Sequence, residues 1–133
     1  MIQEEIVGYL PHNLKIWAEE KSMFSESMET EYERHVYTLS IQTLNYFIKH
    51  VKDKPILRPL SDLTKPITVD GKEFVPMEQF DSYNILMLKK MLDYKIHTFN
   101  LLYRVIVKLY KWHFDIHGLI EKGEAIDINT LGE

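Results

Sequence analysis

Apolar and polar residues nearly alternate over Leu14-Lys-Ile-Trp-Ala18, the period of a half-buried strand. His35 to Val51 fits two templates. Val36, Leu39, Leu44, Phe47, Ile48 and Val51 fall on a helical stripe, whereas Tyr37, Leu39 and Ile41 alternate as in a strand. The density of β-branched and aromatic residues favours two strands, near 35–42 and 45–51. Between these two stretches lies Glu19 to Arg34, rich in Glu and Ser with scattered Met and Phe. It reads as an exposed loop or a short surface helix.

Ile67-Thr-Val-Asp-Gly-Lys-Glu-Phe-Val75 predicts a β-hairpin on a two-residue turn. Asp70-Gly71 supplies the positive φ angles that a type I′ turn demands. The register sets Ile67 opposite Phe74, Thr68 opposite Glu73 and Val69 opposite Lys72. Ile67, Val69 and Phe74 then share one face, the buried one. Pro66 and Pro76 bracket the hairpin, since neither can donate to the ladder from within it.

From Met77 to His117 there is neither glycine nor proline. An unbroken helix there would be about 60 Å long, longer than the domain is wide. A break near Asp93 to His97 is therefore expected, giving two helices. In the second, Ile96, Phe99, Leu102, Tyr103, Ile106, Leu109, Tyr110 and His113 form one stripe. Phe99, Ile106 and Leu109 are its expected buried residues. Lys108, Lys111, His113 and His117 lie towards its C-terminus, where positive charge suits the helix dipole, and Gly118 is placed to end it. Ile126 and Ile128 are expected to dock on the domain while the tail acids face water. Together these elements predict a single α+β domain over residues 1–133. A small antiparallel sheet in the N-terminal half is followed by two C-terminal helices.

A chain of 133 residues buries about two-thirds of its unfolded surface, so its core needs no staple. With no cysteine, disulfides, thiol catalysis and zinc–thiolate sites are excluded. The start, Met1-Ile-Gln-Glu-Glu-Ile6, lacks the basic flank and apolar core of a secretory signal. No run approaches the roughly 20 apolar residues of a membrane span. A protein of the cytoplasm with no membrane partner is expected.

The net charge of −4 is segregated: −5 over residues 1–34, +5 over 35–111 and −4 over 112–133. A basic middle between acidic ends can mark an anion-binding face, or the ends can fold back and neutralise it. The sequence pI of about 5.9 favours the second, being far from the strongly basic signature of nucleic-acid binders.

The chemistry on offer is sparse. His113 and His117 have the i, i+4 spacing that sets two imidazoles on one helix face, a candidate metal pair if a third ligand joins. Asp115 lies on the other side of that helix, and only Glu121, Glu124 or Asp127 could reach back from the tail. The simpler expectation is that His113 packs beside Trp112 and His117 caps the last turn. Arg58, between Leu57 and Pro59, suits a phosphate or carboxylate, or else Asp62 or nearby carbonyls. Ser61 or Asp62 is expected to cap a short turn over Leu63 to Lys65. Trp17, Trp112 and the tyrosines could stack on single-stranded nucleic acid, but Tyr103, Tyr110 and Trp112 follow the helix stripe, which suits core packing. No glycine-rich phosphate loop, nucleophile elbow or calcium loop is present. No catalytic residue and no cofactor are assigned.

Three stretches are distinctive together: Tyr9-Leu-Pro11, Lys54-Pro-Ile-Leu-Arg-Pro-Leu-Ser-Asp-Leu-Thr-Lys-Pro66, and Trp112-His-Phe-Asp-Ile-His-Gly-Leu-Ile-Glu-Lys-Gly-Glu-Ala-Ile-Asp-Ile-Asn129. They cover about a quarter of the chain. Through them it resembles a group of short uncharacterised proteins of phages, prophages and related mobile elements of Bacteroides-type bacteria. At His117 it departs from them, since an aromatic or aliphatic residue often stands there. The resemblance implies an α+β domain, with strands before the Leu57-Arg-Pro-Leu-Ser-Asp62 segment and a helix before Trp112. It implies no activity.

The expectation is a non-enzymatic protein of a mobile element, in the cytoplasm of the bacterial host, that binds another macromolecule, with a protein as the first choice. Arg58, Lys108, Lys111 and Trp112 are its candidate partner surface. The alternatives are a nucleic-acid binder using Lys89, Lys90, Lys95, Arg104, Lys108 and Lys111 of segment 89–111, and a metal-dependent hydrolase around His113 and His117.

Overall fold

The computed structural model describes residues 6–18, 35–50, 52–94 and 103–131. The expectations for Glu19–Arg34, Lys95, Ile96, Phe99 and Leu102, and the centre of the helix break, fall outside these residues. The fold is α+β. Strand β1, Lys15–Trp17, pairs antiparallel with β2, Val36–Thr38, on one side and with β3, Lys54–Leu57, on the other. The alternating stretch from Leu14 is thus a strand with Ile16 pointing into the core. Beyond β3 the sheet gains a strand that the sequence pattern did not disclose: β6, Ile126–Asp127, pairs parallel to it. The sheet is therefore mixed, and its last strand comes from the C-terminal tail. Ile126 and Ile128 are half-buried as part of this arrangement.

The second strand expected near 45–51 is a helix instead: α1, Ile41–Lys49. A capping box decides it. The Thr43 amide donates to Ser40 Oγ at 3.3 Å, and the Ser40 amide donates to Thr43 Oγ1 at 2.8 Å. Two of the orphan amides at a helix start are satisfied this way, which outweighs the β propensity of the segment. Phe47 is the buried anchor of α1.

The hairpin forms with the expected register. In β4, Ile67–Val69, and β5, Lys72–Phe74, Ile67 faces Phe74, Thr68 faces Glu73 and Val69 faces Lys72. Asp70 and Gly71 have φ of 53° and 80°, as a type I′ turn requires. A Cβ at Gly71 would meet nothing within 4 Å, so substitution there tests backbone strain alone. Gly71→Val is expected to lower stability by about 1 kcal/mol or more; an unchanged melting temperature would count against this turn.

Two helices follow, α2, Ser82–Tyr94, and α3, Tyr103–Lys111. Asp81 caps α2, accepting from the Asn84 amide at 3.0 Å. The α3 stripe is turned slightly from the expected face: Val105 and Leu109 are buried, whereas Ile106 is only half-buried. Helix α3 also ends earlier than expected. His113, not Gly118, takes the left-handed conformation that stops it, with φ of 64°. The His113 amide reaches back to the Tyr110 carbonyl at 3.0 Å and the Phe114 amide to the Leu109 carbonyl at 2.9 Å, the pair of bonds of a Schellman motif. Gly118 is left-handed too, but in the turn that follows.

The short turn Leu60–Thr64 starts behind Pro59 without a side-chain cap. Asp62 instead lies 3.7 Å from Lys65 Nζ and accepts from Asn129 Nδ2 at 2.9 Å, tying the tail to the middle of the chain. Among the described residues, two apolar clusters make the core. One gathers Tyr9, Leu14, Ile16, Tyr37, Phe47 and Leu57 around the sheet. The other gathers Leu63, Met77, Leu88, Leu109, Trp112 and Phe114 under the helices and hairpin. Tyr110 packs against both. A Cβ at Gly8 would overlap the Tyr110 ring, so only glycine lets the N-terminal turn approach this close. Among the described residues no helix is long and apolar enough to cross a membrane.

Candidate functional site

The early end of α3 builds the most distinctive surface feature. Where the chain leaves the helix it meets four other segments: the turn Leu10–His12, the start of β1, Arg58 just after β3, and the β4–β5 hairpin. Between them lies a cleft of about 490 Å³. Its charged lining is Lys15, Arg58 and Lys111, opposed by Asp70, with His12 and His113 beside them.

Arg58 is held by its surroundings. Its Nε donates to the Trp112 carbonyl at 3.0 Å and its Nη2 to the Thr68 carbonyl at 3.3 Å. The first of these bonds satisfies a carbonyl at the C-terminal end of α3, where a cation is favoured. The backbone adds to the restraint: the Arg58 amide donates to the His113 carbonyl and the Asp115 amide to the Arg58 carbonyl, both at 2.8 Å. Of the alternatives open to Arg58 in the sequence, carbonyls take the hydrogen bonds, and Asp62 acts on it only through space. Burial lowers the Arg58 pKa, yet a guanidinium stays charged.

His113 Nε2 lies 2.7 Å from the His12 carbonyl. A carbonyl only accepts, so this nitrogen carries the proton. Burial pushes the His113 pKa down, against the pull of that hydrogen bond, and Arg58, His12 and Lys15 push the same way as burial. The His12 pKa is also lowered, first by burial and then by Lys111. Both rings are therefore neutral at pH near 7. Lys15 Nζ donates to Thr38 Oγ1 at 2.6 Å, and both Lys15 and Lys111 are exposed.

His113 and His117 do not share a helix face, because α3 has ended before either. Their rings take different partners, His12 for one and the Tyr110 hydroxyl, at 2.9 Å, for the other. Asp115 is turned inward, accepting from the Leu119 and Ile120 amides. Among the described residues no group of three or more His, Asp or Glu side chains is placed to hold a metal ion.

The candidate partner surface divides. Arg58 and Lys111 meet at the cleft, whereas Lys108 lies over the Phe80 ring, 5.8 Å from its centroid. It lines a smaller hollow of about 240 Å³ with Asp81, Asn84 and Arg104. Trp112 borders the cleft but is buried, packed on Phe74 and Phe80. Trp17 stacks on His35. Arg104, Lys108 and Lys111 are exposed along one face of α3, and Lys89 and Lys90 are exposed on α2.

His12 and Lys15 carry no sequence signal of a site. One sits in a three-residue turn, the other occupies a solvent-facing strand position, and only the fold brings them to Lys111. No protein family, curated protein or solved structure matches the chain.

Proposed function

We propose that this is a non-enzymatic binding protein of a phage or mobile element, acting in the cytoplasm of a bacterial host. It engages an anionic region of a partner protein through the cleft at the end of α3. The observation that carries the reading is the convergence of Lys15, Arg58 and Lys111 from three remote segments onto one cleft. Like charges brought together repel, so a cleft that gathers three cations against one carboxylate favours an anionic occupant. The His113 ring and Arg58 are engaged in holding the backbone, as befits a binding wall.

Nucleic acid is the second reading. The exposed row Arg104, Lys108 and Lys111 favours it. Against it stands the burial of Trp112, which is packed away and offers no open face to a base. Affinity capture from host cells, infected and uninfected, compares the chain with Lys15→Glu/Lys111→Glu. A protein partner retained by the first and depleted at least about tenfold on the second is expected. Equal retention would refute the role of the cleft. Tight binding to oligonucleotides that falls steeply with salt would replace this reading with the second.

A further inference from the structure

We propose that the cleft takes a phosphate monoester, presented by a phosphorylated side chain of the protein partner. This rests on the binding reading above and specifies its ligand. Among the described lining residues, Lys15, Arg58 and Lys111 provide three positive charges and Asp70 one negative, leaving a net of two while His12 and His113 are neutral. That excess matches a phosphate dianion better than a single carboxylate.

Arg58 suits the role by its rigidity. Two of its nitrogens are fixed on the Trp112 and Thr68 carbonyls, while Nη1 has no hydrogen-bond partner among the described residues. A guanidinium held this way loses little freedom when it binds an oxyanion. Its half-buried position also strengthens the attraction. Lys15 and Lys111 add exposed positive charge at the rim. A cleft of about 490 Å³ holds much more than a phosphate, and Pro11 and Val69 give it apolar wall for the stem and neighbours of a side chain. A nucleotide is disfavoured because Trp112 is packed on Phe74 and Phe80 and offers no open face to a base.

The histidines make binding respond to pH. His113 is faced by Arg58, Lys15 and His12, and His12 by Lys111, with Asp70 the one carboxylate of the lining among the described residues. A bound dianion counters the cations that disfavour protonation of both rings. Binding then takes up protons, and affinity rises as pH falls.

Calorimetric titration of the full chain tests this with N-acetyl-phosphoserine methylamide, succinate, adenosine monophosphate and inorganic sulfate. The phosphoserine compound is expected to bind at least about tenfold more tightly than succinate. Lys15→Gln and Lys111→Gln should each weaken it about threefold or more. Both residues are exposed, so the fold survives these changes. Arg58→Lys should weaken it further, its melting temperature being read alongside because Arg58 also holds the end of α3. Sulfate, whose own charge is constant over the range, should bind about threefold more tightly at pH about 5.5 than at about 7.5. Adenosine monophosphate binding tenfold more tightly than the phosphoserine compound would overturn the assignment. Absence of saturable binding by the phosphoserine compound would overturn it too. If partner capture still depended on Lys15 and Lys111, the binding reading would stand without the phosphate. If capture had lost that dependence, both would fall.

Discussion

Replacing Phe114 by alanine is expected to lower stability by about 3–5 kcal/mol. The ring is fully buried among the residues under the helices and hairpin. Its removal opens a cavity that a close-packed interior fills only in part. The backbone at this position is equally committed. The Phe114 amide closes α3 on the Leu109 carbonyl, its carbonyl accepts the Tyr9 hydroxyl, and the residue bridges to Arg58 in parallel register. Loosening the ring therefore loosens the end of α3, the N-terminal turn and Arg58 together. Lys108→Ala, an exposed change on α3, should cost under about 0.5 kcal/mol. Urea denaturation of both variants measures the difference. Equal losses would show that Phe114 is not a core residue.

Local chemistry was the part of this fold legible in the sequence. Asp70-Gly71 demands a particular turn, and that turn sets the register of Ile67 to Phe74 without help from the rest of the chain. The alternation from Leu14 likewise needs only a sheet to lie against. Where two local tendencies competed, the outcome depended on hydrogen bonds that neither hydrophobic period reports. Ser40 and Thr43 capped a helix in a segment whose composition favoured strands. His113 stopped α3 before Gly118, since a histidine tolerates the left-handed region better than most residues and Phe114 could then turn inward. The pairing of β3 with β6 joins Ile56 to Ile126, a contact between distant parts of the chain whose segments are too short to advertise a partner. The cleft is non-local in the same sense. Arg58 and Lys111 could be nominated from sequence, but His12 and Lys15 become neighbours of Lys111 only through the packing of Tyr9 and Tyr110, whose rings meet edge-on at 4.7 Å.

Asp115→Ala is expected to lower stability by on the order of 3 kcal/mol. The side chain is buried, and its two oxygens accept separately: Oδ1 from the Leu119 amide at 2.8 Å, Oδ2 from the Ile120 amide at 2.9 Å. Charge-assisted bonds of this kind are the stronger class. Alanine would strand the buried Leu119 amide and weaken the start of the turn that leads to Ala125 and β6. Asparagine keeps one acceptor but sets an N–H₂ against the other amide, so Asp115→Asn should lose part of the stability and alanine more. The effect should spread along the chain. With the turn loosened, the backbone bonds that hold β6 to Ile56 and Leu57 should exchange faster with solvent than those between β1 and β2, which do not depend on it. Denaturation midpoints and amide exchange of the two variants measure these effects. A loss below about 1 kcal/mol for alanine, or uniform exchange across the sheet, would show that Asp115 does not organise the tail.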